Sequence, residues 1–80
     1  MPTIDMIATG TNIKRLMMTN HMTVANILAV FGFATPQAIY KWLRGDSLPT
    51  IDNLVILADI FGVTMDEIVI VRRNEHTAAA

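Results

Sequence analysis

Apolar residues recur with a helical period along most of this chain, and threonine, glycine and proline mark where each recurrence starts and stops. From Thr11 to about Asn20, Ile13, Leu16 and Met17 share one face while Lys14, Arg15 and Met18 point elsewhere, which predicts a first helix. Asn20, His21 and Met22 make a short connection, and Thr23 stands where an N-cap belongs. Val24, Ile27, Leu28 and Phe31 then repeat at helical spacing and predict a second helix, which Gly32 ends.

The stretch Thr35 to Gly45 predicts a third helix with two chemically different faces. The Thr35 hydroxyl is placed to cap it, and Pro36 suits the first helical position because its missing N–H would be unpaired there anyway. Gly45 can take the left-handed conformation that closes a helix. Ile39, Trp42 and Leu43 form an apolar stripe that must be buried. Gly32 to Thr35 leave a tight glycine-containing turn between the second and third helices, the outline of a helix-turn-helix.

Asp46 to Pro49 read as a loop, and Thr50 caps a fourth helix, Ile51 to about Phe61, that Gly62 stops. Its residues Ile51, Leu54, Leu57, Ala58 and Phe61 are set to face a core and Asp52 and Asp59 to face water, with Val55 and Ile56 left over. Thr64 to Glu67 is a capping-box pattern that opens a short fifth helix.

The two ends differ from this helical middle. Thr3 to Ala8 alternate loosely ahead of a break at Thr9 and Gly10, and Ile68 to Val71 are four β-branched residues in a row. Pairing of these segments would make a two-stranded ribbon, which needs helix packing or another subunit's strand to persist. Arg72 and Arg73 would keep its edge soluble. The expected organisation is one domain over residues 1–73 and a flexible tail over residues 74–80, with Glu75 to Ala80 frayed.

Composition narrows the function classes. With 80 residues, 52% of them hydrophobic and 16% charged, the chain must recruit every helix into a single core. Part of the apolar excess is available for a subunit interface. No apolar run reaches bilayer length and no basic leader opens the chain, so neither a membrane span nor a secretory signal is expected. Cysteine is absent and the two histidines are isolated, so no disulfide, metal site or cofactor is expected, and a cytoplasmic setting is the default. A single serine, Ser47, and the lack of an acid pair or Gly-rich phosphate loop argue against an enzyme, and no small-molecule substrate is expected.

The net charge of −1 argues against gripping nucleic acid by charge alone, yet the charges are unevenly spread. Lys14, Arg15, Lys41 and Arg44 precede Asp52, Asp59, Asp66 and Glu67, so one basic face can meet a polyanion. On the third helix, Gln37, Tyr40, Lys41 and Arg44 recur along one polar edge. An amide can bond adenine bidentately, an ammonium can donate to guanine, and a guanidinium suits a phosphate. An ordinary solvated face of an amphipathic helix fits the same pattern.

Taken in order, Asn12 to Leu16, the capped helix at Thr23, Gln37 to Gly45, Leu48 to Thr50, Leu54 to Ala58 and Phe61 to Ile68 resemble the Cro and phage-repressor type of helix-turn-helix domain, the xenobiotic-response-element class of bacterial regulators. The resemblance spans roughly Thr9 to Ile68. It implies an all-α, lambda-repressor-like bundle of five helices whose third helix, about residues 36–44, lies in the major groove of duplex DNA. By position it implies Gln37, Tyr40 and Lys41 as base-reading residues and Ile39 and Trp42 as buried anchors. Thr23, Thr35, Arg44 and Ser47 fall where such domains touch the DNA backbone.

Three departures stand out. Between Gly32 and Trp42 the chain is one residue longer than the usual pattern, Leu28 lies near where a small residue is common, and Pro36 replaces a polar, DNA-facing side chain. The leading expectation is a sequence-specific regulator, acting as a homodimer on a pseudo-palindromic site. Val55 and Ile56, or the terminal strands through Ile68 to Val71, are the surfaces for dimerisation. The competing expectation is an interaction module, antitoxin-like or an adaptor, that keeps the fold and binds a protein.

Overall fold

In the computed structural model, which describes residues 1–73, the helical period of the first helix extends well before Thr11. Asp5 holds an extended backbone and its carboxylate accepts the Ala8 N–H at 2.9 Å, so α1 runs Met6–Thr19. The expected strand over Thr3 to Ala8 therefore shrinks to β1, Thr3–Ile4, and the expected break at Thr9 and Gly10 is absent. Both residues are buried inside α1.

Gly10 is there for proximity. A Cβ on it would lie 2.8 Å from the Leu43 carbonyl oxygen and closer still to that of Trp42. Only a residue without a side chain lets the two helices meet backbone to backbone.

Thr23 caps α2, Val24–Phe31, through a full reciprocal box: its hydroxyl accepts the Asn26 N–H, and the Asn26 side chain accepts the Thr23 N–H at 2.8 Å. Gly32 ends α2 in the left-handed region, as anticipated. The third helix, α3, spans Gln37–Arg44. Its N-cap is Pro36, whose carbonyl accepts the Tyr40 N–H at 3.1 Å, and no side chain caps it. The expected Thr35 cap is thus corrected, and the turn, residues 32–36, is one residue longer than expected.

Aromatic packing accounts for that entry. Phe33, in the turn, stacks on Phe31 with ring centroids 5.1 Å apart, and both meet the Trp42 ring edge-on at 5.6 and 6.1 Å. Each such pair adds about 0.5–1.5 kcal/mol beyond burial, enough to override the local capping preference of a threonine.

Thr50 and Gly62 bound α4, Ile51–Phe61, and Thr64 opens α5, Met65–Ile68, both where the pattern placed them. At the start of α5 the Glu67 carboxylate accepts the Thr64 N–H at 3.0 Å, the reach-back half of the capping box. Leu54, Leu57, Ala58 and Phe61 join Ile13, Leu16, Met17, Ile27, Ile39, Trp42 and Ile68 in one core. Ile51 does not, being 70% exposed at the first residue of α4, one turn before the buried positions begin. Leu28 packs half-buried against the core.

The ribbon forms, with a shifted partner. β2 is Val71–Arg72, antiparallel to β1, pairing Thr3 with Arg72 and Ile4 with Val71. Ile68 instead ends α5. The helix packing that a short ribbon needs comes from α1 and its cap. The Asp5 N–H donates to the Ile70 carbonyl at 2.8 Å, and the buried Thr9 hydroxyl accepts the Ile70 N–H at 2.9 Å. The Asn12 amide donates to the Glu67 and Ile68 carbonyls at 2.8 and 2.9 Å. The expected tail, residues 74–80, lies outside the described residues. No helix among the described residues is long and apolar enough to cross a membrane.

Two stability outcomes follow from this packing. Gly10→Ala is expected to lower the unfolding free energy in urea by about 1–3 kcal/mol, although alanine is the better helix former, because overpacking outweighs a propensity gain of about 1 kcal/mol. An equally stable or more stable variant would show that α1 and α3 are not in backbone contact. Phe33→Ala should cost about 2 kcal/mol in the same assay, from lost ring pairs and partial burial. A change below about 0.5 kcal/mol, no larger than an ordinary surface substitution, would mean the turn is not held by its aromatic ring.

Candidate nucleic-acid interface

α3 owes its two-faced character to where its apolar residues fall. Ile39 and Trp42 are buried, Ala38 and Leu43 pack half-buried against the core, and α1 packs more on this helix than on any other element. Turning those four inward leaves Gln37, Tyr40, Lys41 and Arg44 on the outside. These four side chains, singled out on spacing, line one shallow concavity of about 220 Å3. It offers an amide, a phenol and two cations side by side, the mixture that can bond base edges and phosphates.

The helix end below them is closely packed. Gly45 is left-handed, with φ of 79°, and a Cβ on it would fall 2.7 Å from the Ile7 Cα, so α1 presses on the loop directly. The Gly45 N–H donates to the Trp42 carbonyl at 3.1 Å and the Asp46 N–H to the Lys41 carbonyl at 2.9 Å. These bonds satisfy the carbonyls that a helix C-terminus leaves open.

The remaining site residues sit apart from the concavity. Thr23 is exposed at the start of α2, but its hydroxyl and N–H are both engaged with Asn26. What that helix start can offer an anion is the Val24 and Ala25 N–H pair, which has no intrahelical partner at these positions. Thr35 is exposed in the turn, and among the described residues its hydroxyl makes no hydrogen bond. Ser47 is half-buried beyond Gly45, its N–H 3.4 Å from the Lys41 carbonyl.

Arg44 is not a free cation. Its Nε donates to Asp46 Oδ2 at 2.8 Å. Spacing along the polar edge of the helix does not reveal this pair, since Asp46 lies beyond the helix. The available signal was an acid two residues after a cation, across a helix-ending glycine. On α1, Lys14 and Arg15 are exposed, and Arg15 donates from Nε and Nη2 to the Asn12 side-chain oxygen at 3.0 and 2.9 Å.

Residues 35–68 match the family model described as Helix-turn-helix. That stretch is less than half of the chain and runs from the end of the turn through α3, α4 and α5. Comparison with curated proteins and with solved structures gives no match. The mostly helical chain, with five helices among the described residues and a small antiparallel ribbon, fits the lambda-repressor-like fold. Residues 35–68 of this chain are thus similar to helix-turn-helix domains of the Cro and phage-repressor type, a family of DNA-binding regulators.

Proposed function

We propose that this chain is a transcriptional regulator that reads a specific duplex DNA sequence, with α3 in the major groove, as a homodimer on a pseudo-palindromic site. The observation that carries this reading is the outward concavity shared by Gln37, Tyr40, Lys41 and Arg44 on a helix whose opposite face is locked in the core. A recognition helix must hold its side chains still while they meet base edges, and a helix anchored by Ile39 and Trp42 does so.

In this reading Gln37 bonds adenine, Lys41 donates to guanine, and Tyr40, 46% exposed, adds its hydroxyl and ring edge. Thr35 and Ser47 hydroxyls, Arg44 and the N–H groups behind Thr23 take the DNA backbone. A domain of residues 1–73 is the binding unit, without cofactor or catalytic group, and works in the cytoplasm. Two copies are needed because one small module makes few base contacts. Val55 and Ile56, 50% and 38% exposed on α4, and Ile70 and Val71, 36% and 49% exposed at the ribbon, are the dimer surfaces this reading offers.

A second reading, a protein-binding module on the same fold, draws support from those exposed apolar residues and from a net charge of −1. Selection from a randomised duplex library separates the two. The expected result is a palindromic motif, with Gln37→Ala and Lys41→Ala each weakening binding to it by about 1–3 kcal/mol in titrations and relaxing preference at one base pair. A folded protein that selects no motif at low salt would sink the regulator reading and favour a protein partner.

A further inference from the structure

We propose that Asp46 is an autoinhibitory contact at the DNA-facing end of α3, its carboxylate competing with a DNA phosphate for the Arg44 guanidinium. The proposal rests on the DNA-binding reading above and adds a residue that lowers affinity to those that raise it.

Geometry sets up the competition. Arg44 Nε donates to Asp46 Oδ2 at 2.8 Å, and the two side chains are 60% and 56% exposed, so an arriving phosphate can reach both. Nε is one of the two donors along the guanidinium edge that can bind phosphate bidentately. A phosphate that takes this fork must displace Asp46. The Asp46 backbone is also held in place from below: its N–H is bonded to the Lys41 carbonyl, and Gly45 is pressed against Ile7.

Electrostatics makes the position unfavourable on other grounds. The C-terminus of a helix carries partial negative charge and favours cations, as Lys41 and Arg44 in the last turn of α3 illustrate. A carboxylate just beyond that end opposes the helix dipole, and it opposes any polyanion that approaches the concavity. An exposed ion pair adds little to folding stability, so stability does not account for it. Its effect falls on binding: an Arg44 already neutralised contributes less when it meets a phosphate, whatever the base sequence.

The test is a double-mutant cycle on the full chain. Affinities for a selected duplex and for an unrelated one are measured at several salt concentrations for the parent, Asp46→Asn, Arg44→Gln and the double variant, with thermal unfolding confirming that each is folded. Asp46→Asn is expected to tighten binding to both duplexes by roughly twofold to fivefold per protomer, leaving their ratio unchanged. It should also steepen the salt dependence by about one unit per protomer. In the Arg44→Gln background the same substitution should have a clearly smaller effect, since only the through-space repulsion of the carboxylate remains.

Weaker or unchanged binding by Asp46→Asn would overturn the proposal, as would equal tightening in both backgrounds, which would reduce Asp46 to a distant repelling charge. Asp46→Ser repeats the measurement should the asparagine variant prove unstable. Binding of the parent to its selected duplex upholds the regulator reading whatever the Asp46 variants do. A parent that binds no duplex overturns both.

Discussion

Everything on the outer face of this protein depends on one close approach, the contact of α1 at Gly10 with the Trp42 and Leu43 carbonyls of α3. Helices with side chains between them sit about 8–10 Å apart, and a glycine at the crossing brings the backbones nearer. The same helix presses Ile7 against Gly45, so α1 fixes both the barrel of α3 and the loop that ends it. With Ile39 and Trp42 drawn into the core, α3 cannot rotate about its axis without exposing a tryptophan. Gln37, Tyr40, Lys41 and Arg44 are held outward as a consequence.

The turn between α2 and α3 shows how a turn one residue longer than its local signals predict is held. An extra residue in a loop costs little chain entropy, but it re-aims the helix that follows unless something holds it. Phe33 does so, stacking on Phe31 and meeting Trp42. Because Trp42 also lies beneath the polar face of α3, turn and outer face share an anchor. The arrangement ties the length of the turn to the placement of the concavity.

A chain of this size has little core to spend, and its ends are used accordingly. Thr9, Asn12 and the Asp5 backbone bond the segment from Glu67 to Ile70, so a two-residue ribbon that would not persist alone closes the fold. The buried Thr9 hydroxyl and the Asn12 amide are polar groups in or near the interior, and both are satisfied by backbone of the C-terminal segment. α1 thus binds the last described segment with one part of its surface and α3 with another.

By itself the sequence determined those elements whose start and stop signals act within a few residues. α2 and α4 have the bounds expected of them because a threonine cap bonds an N–H three residues on, and a left-handed glycine closes the last turn. The buried Ile39 and Trp42 and the outward polar edge of α3 were likewise legible, since helical period alone assigns faces. Tertiary structure decided the rest. Gly10 looked like a break until a partner backbone explained it, Thr35 lost the cap to a ring packing from the turn, and Ile51 fell beyond the core it was spaced to meet. Arg44 acquired a carboxylate that its helix does not contain. In each case the deciding atom belongs to another element or lies past the element's end, and a periodic pattern carries no information about distances between elements.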